Sequence, residues 1–137
     1  MTNDEKLQLA KKFLSVLSTP NETVVKSVSV EDIVWTFPGT SPISGEARGA
    51  SGVMARATVI AANRVKVEVI RPVYGQQGVA VILHNTGSKD GRVLDEHLAA
   101  VFSFRGDKIE RLDTFLSDVP MGERWDVIQP LNDNRML

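Results

Sequence analysis

The stretch RVLDEHLAAVFSFRGDKIERLDTFL, residues 92–116, decides the reading of this chain. It divides into two long β-rich runs, Arg92 to Phe104 and Ile109 to Leu116, joined by the tight turn Arg105-Gly106-Asp107-Lys108, and so predicts a β-hairpin. If the turn pairs Phe104 with Glu110, then Phe102 faces Leu112, Ala100 faces Thr114, Leu98 faces Leu116 and Glu96 faces Asp118, because cross-strand partners share a face. That face is apolar with a polar rim. The opposite face carries Asp95, His97, Ala99, Val101, Ser103, Arg111, Asp113 and Phe115, and suits solvent or a partner subunit.

Working outward from the hairpin, Ser88-Lys89-Asp90-Gly91 turns into it from Val79-Ala80-Val81-Ile82-Leu83, a run apolar on both faces, as for a central strand covered on both sides. Before that, Val65, Val67 and Val69 alternate with Lys66 and Glu68 in a half-exposed strand reaching Tyr74. Ser51 is placed to cap a helix ending near Asn63, with Val53, Ala57, Ile60 and Ala61 inward. Residues 38–49, with two prolines and three glycines, read as a structured loop, and Ile33 to Phe37 as a short strand. At the start, Thr2-Asn3-Asp4-Glu5 spells a capping box for a helix of about four turns carrying Leu7, Ala10, Phe13, Leu14 and Leu17. A short helical segment spans Glu22 to Ser27. Beyond Asp118, residues 119–129, with Trp125, Val127 and Ile128, read as a short helix or an arm on the sheet, and Asn132 to Leu137 as frayed.

At 137 residues and 42% hydrophobic content, the chain fits a single domain, 1–137, that buries roughly two thirds of its unfolded surface. With no cysteine there is no disulfide, thiolate zinc site or cysteine nucleophile, which is compatible with a reducing cytoplasm. A net charge of −1 with mixed signs leaves no basic stripe for nucleic acid. No apolar run approaches the roughly 20 residues that span a bilayer, and the acidic amino terminus is unlike a signal peptide. The expectation is a cytoplasmic protein with neither nucleic-acid nor membrane partners.

Two places, Trp35-Thr36-Phe37-Pro38-Gly39 through Ser44-Gly45 and Arg48-Gly49, and Val101-Phe102-Ser103-Phe104 through Lys108-Ile109, resemble the SnoaL-like and ketosteroid-isomerase-like branches of the nuclear transport factor 2-like superfamily. The resemblance implies an α+β fold, a cone-shaped curved sheet, antiparallel or mixed, wrapped around about three helices, with an internal pocket and a homodimer through the outer face. The places of the ketosteroid isomerase base and oxyanion donors hold Phe37, Phe13 and Ala100, which move no proton. Those of the limonene-type epoxide hydrolases hold Val81, Leu83 and Thr114. The SnoaL-like cyclase aspartate has Asp113 and Asp118 as neighbours of its place, itself held by Thr114; a one-residue bulge would turn Asp113 into the pocket.

The candidate acid/base groups are Glu96, Asp118 and Asp113, since neighbouring carboxyls against an apolar wall can divide acid and base roles. Asn85 and Thr114 are polar anchors. Trp35, Phe37, Phe13, Leu83, Leu98 and Phe102 supply an apolar lining for a small hydrophobic molecule. His84 and His97 fall on the outer face; with no HxH or HExxH spacing, no metal ligands are assigned, and no cofactor is expected. The implied activity is a cofactor-free isomerase, cyclase or hydrolase, the alternative being a non-catalytic ligand-binding or dimeric interaction module.

Overall fold

A computed structural model of the chain describes residues 1–126, so Val127, Ile128, Gln129 and the stretch expected to fray lie outside the described residues. Helix α1 (Asn3–Leu14) begins with the capping box: the Thr2 hydroxyl accepts from the Glu5 backbone and the Glu5 carboxylate from the Thr2 backbone. A 3-10 turn (Ser15–Leu17) extends it, and α2 (Glu22–Val28) is capped by Asn21. There follow β1 (Ser29–Phe37), β2 (Gly45–Arg48), α3 (Gly49–Ala62), β3 (Lys66–Tyr74), β4 (Gly78–Lys89), β5 (Arg92–Arg105), β6 (Lys108–Leu116) and α4 (Val119–Asp126).

The six strands form one mixed sheet in the order β2-β1-β6-β5-β4-β3, the last four an antiparallel meander and β1 parallel to β6. The hairpin keeps the pairs Phe102 with Leu112, Ala100 with Thr114 and Leu98 with Leu116. At its turn the register differs from the sequence reading: a bulge between Ser103 and Phe104 pairs Phe104 with Ile109, not Glu110. Gly106, at φ +63, takes a left-handed conformation there that disfavours side chains.

Three other expectations are corrected. The loop of residues 38–49 contains β2, because the free edge of β1 offers unpaired backbone groups that Gly45 to Arg48 satisfy. Helix α3 starts at Gly49, so Ser51 lies in its first turn and caps nothing. In β4, Ala80 and Ile82 are half-exposed while Val79, Val81 and Leu83 are buried, because the described residues lay no second layer on that side.

Phe13 of α1 sits edge-on against Trp35 and Phe102, each at 5.8 Å between ring centroids. Phe13 and Phe102 are fully buried. Truncating either to alanine costs about 3–5 kcal/mol. This aromatic knot closes the deep end of the cone, and the concave sheet stands away from the helices above it.

Candidate functional site

Above the knot lies a cavity of about 60 Å³ between α1, α3 and the concave face of the sheet. Its apolar walls are Leu14, Leu17 and Ile60 from the helices and Trp35, Phe37, Leu98 and Leu112 from the strands. That volume admits a few waters or a small organic group, far below the roughly 300 Å³ of a drug-sized site. The space is small because α4 covers it.

Helix α4 is held at its start and near its middle. Asp118 caps it, its carboxylate accepting from the Met121 backbone at 3.0 Å. The Glu123 carboxylate accepts from the Thr40 hydroxyl and, at 2.8 Å, from the Thr40 backbone. These two bonds, the hydroxyl's first, hold the Glu123 carboxyl below the usual carboxylate range. Gly122 and Trp125 then enter the cavity wall. A Cβ on Gly122 would stand 3.3 Å from Leu116, and one on Gly87 of β4 only 2.8 Å from the Trp125 ring. Glycine at position 87 is therefore what lets the indole come this close to the strand.

Polar groups gather under this lid. Strand register sets Asn85 of β4 opposite Glu96 of β5, both among the cavity residues. Glu96 is 2% exposed. One of its oxygens, Oε2, accepts from the Ser117 hydroxyl and from the Asp118 backbone at 2.8 Å, which ties the entry to α4 onto the sheet. The other, Oε1, has no partner among the described residues, and neither do Asn85 Oδ1 or Trp125 Nε1. Three buried polar atoms without partners among the described residues thus belong to three cavity residues, two on the sheet and one on α4. Buried polar atoms are nearly always paired, and such a cluster suits a ligand or ordered water.

Opposite, the Trp35 indole donates to the Thr114 hydroxyl at 2.9 Å, so these two satisfy each other and leave the Thr114 O–H to donate. Behind Trp35 lies Arg56 of α3, 7% exposed, donating to the backbone carbonyls of Trp35 at 2.7 Å and Gly45 at 2.9 Å. Its guanidinium lies 4.9 Å from the Trp35 ring centroid and 5.8 Å from that of Phe37. Burial pulls Arg56 down to about 10, so it remains a cation at neutral pH. It positions the aromatic wall rather than lining the cavity.

Of the residues singled out from sequence, Glu96, Asn85, Thr114, Trp35, Phe37 and Leu98 line the cavity. Phe13, Leu83 and Phe102 do not: they are packed beneath it as core. Asp118 is exposed, and reaches the site through its backbone N–H on Glu96. Asp113 pairs across from Val101 on the convex face, where it accepts from Thr36 at 2.7 Å and Arg111 at 3.0 Å. The bulge that would have turned it inward lies beyond it at Ser103, leaving its own pairing in step. Arg56 was missed, although it lies on the stripe of Val53 and Ile60, and a charge on a buried stripe is the signal.

The element order and the cavity beneath the sheet define an α+β cone. Solved structures share this fold over most of the chain. Bal32a, from a soil-derived mobile gene cassette, superposes with a TM-score of 0.80 at 17% identity, over 90% of this chain and 97% of its own. A nuclear transport factor 2-like protein from Burkholderia xenovorans LB400 gives 0.75 at 24% identity, over 92% and 98%. A protein of Jannaschia sp. CCS1 described as a SnoaL-like polyketide cyclase gives 0.71 at 14% identity, over 95% and 99%. The chain has the nuclear transport factor 2-like fold. No protein-family model matches the sequence, and no curated protein matches it.

Proposed function

We propose that the chain binds a small, mostly apolar molecule with one polar end, and that Glu96 exchanges a proton with it. The observation that carries this reading is the trio Asn85 Oδ1, Glu96 Oε1 and Trp125 Nε1, buried in cavity-lining residues without partners among the described residues. The donor and one acceptor match a carbonyl compound that can enolise: the indole N–H binds the oxygen while a carboxyl takes or returns the neighbouring proton, and the Asn85 oxygen is left to accept from a hydroxyl, the enol's or another on the ligand. Proton transfer of this kind underlies isomerisation and ring closure, and a structural neighbour described as a SnoaL-like polyketide cyclase supports that class. A larger ligand enters as α4 lifts from Gly87 and Thr40.

A second reading, binding without chemistry, is favoured by Glu96 Oε2 already holding the entry to α4. In either case a second copy of the chain is the proposed partner of the convex face, where Phe115 is 58% and Val73 50% exposed. Sedimentation at micromolar concentration tests it; a monomer contradicts it.

The two tryptophans give two indole N–H resonances in a proton–nitrogen spectrum. Titration with small cyclic ketones is expected to move the Trp125 signal more than that of Trp35, which is already bonded to Thr114. If neither moves at millimolar ketone, the binding reading fails. Deuterium exchange at the ketone's α-carbon, present in the wild type and lost in Glu96→Gln while binding persists, separates catalysis from binding.

A further inference from the structure

The convex face carries a second cluster of chemistry-bearing side chains, remote from the cavity. Strand pairing sets His84 of β4 directly opposite His97 of β5. Their rings stack in parallel, 4.4 Å between centroids and 2° between planes. Asp95, two residues before His97 on the same face, brings Oδ1 to 2.5 Å from His84 Nε2. On the other side, Glu68 of β3 pairs with His84 and places Oε1 3.8 Å from His84 Nδ1.

We propose that His84, Asp95 and His97 bind a divalent transition-metal ion of the zinc class, with Glu68 as a positioning residue. One ligand atom from each of the three lies within 4.8 Å of the others. Ligands at 2.0–2.1 Å in a tetrahedron stand about 3.4 Å apart, so closure asks for about 1.4 Å at most. Each imidazole lone pair lies in its own ring plane, so the parallel stack opens on binding: one ring turns until the two planes meet at the ion, a rotation open to side chains that are half-buried or exposed. Two imidazoles and one carboxylate suit Zn²⁺, Ni²⁺ or Cu²⁺ over Mg²⁺ or Ca²⁺, which prefer all-oxygen sets.

Glu68 has a separate task. With His84 bound through Nε2, its Nδ1–H faces the Glu68 carboxylate, which fixes the tautomer and ring orientation and raises the imidazole's basicity. Water completes the coordination. The motifs that betray metal sites in sequence place their histidines two or four positions apart. Here they lie thirteen positions and a turn apart, and only the β4–β5 register brings them together.

The test is equilibrium dialysis of the full, untagged chain against Zn²⁺ after chelator treatment. About one ion per chain is expected, with weakening of about a hundredfold in His97→Ala and His84→Ala and about tenfold in Glu68→Gln. Visible absorption of Co²⁺ bound in place of Zn²⁺ is expected in the wild type and absent from Asp95→Asn. Asp95 and His97 are exposed, and circular dichroism confirms that the variants keep the fold. Zn²⁺ uptake that is absent, or that survives both histidine substitutions within about tenfold, overturns the proposal.

Discussion

Glu96 joins two jobs on one carboxyl, and substitution separates them. In Glu96→Met, the Ser117 hydroxyl and the Asp118 backbone N–H lose their acceptor in a part-buried setting. Each donor left unpaired costs about 1–3 kcal/mol, and the lower end applies because water reaches this rim. The loss is about 2 kcal/mol, against which stands removal of the unpartnered Oε1. Glu96→Gln keeps an acceptor in the same place and stays within about 1 kcal/mol of the wild type. At about 4 °C per kcal/mol for a domain of this size, the methionine variant melts several degrees below the glutamine one. Thermal denaturation followed by calorimetry measures the difference. Equal melting of the two variants would refute the reasoning, since the carboxyl oxygen would then not be what holds the entry to α4.

Three further outcomes follow from the same geometry. In Gly87→Ala the new methyl meets the Trp125 ring at 2.8 Å, and as carbon contacts prefer about 3.5–4.0 Å the indole retreats; acrylamide quenching of its fluorescence rises for about 1 kcal/mol of stability. Unchanged quenching would mean that Trp125 does not lie on Gly87. Replacing Arg56 by methionine or lysine loses the two-pronged grip on the Trp35 and Gly45 carbonyls and costs about 2 kcal/mol in urea denaturation; a lysine variant as stable as the wild type contradicts that role. Because the Glu123 carboxyl is held below its ordinary 4.5 when folded, its bonds to Thr40 stabilise α4 above that range and are lost as pH falls through the folded value. Trp125 fluorescence is expected to report loosening of α4 at acid pH in the wild type and no such step in Glu123→Gln.

The hairpin was legible because alternation over a long run leaves one register that buries Leu98, Ala100 and Phe102 together. The same alternation put Glu96 on the inner face and both histidines on the outer one. What the residues did not reveal was set by tertiary contact. β2 exists only because β1 offers a free edge, and the bulge at Ser103 only because the turn closes on Arg105 and Lys108. Leu83 and Phe102 share a strand face with the lining, and Phe13 a helical stripe with Leu17, but depth along the cone, invisible in either period, makes them core. Trp125 read as a packing residue because nothing local says that its indole N–H ends up buried without a partner.

Whether the atoms of Asn85, Glu96 and Trp125 that lack partners among the described residues bind a ligand can be seen in a crystal structure of the protein grown with a small cyclic ketone. The ketone oxygen is expected within hydrogen-bond distance of Trp125 Nε1, with its α-carbon facing Glu96 Oε1. Should the three side chains instead turn to satisfy one another, with the ketone absent from the cavity, the proposed site does not exist.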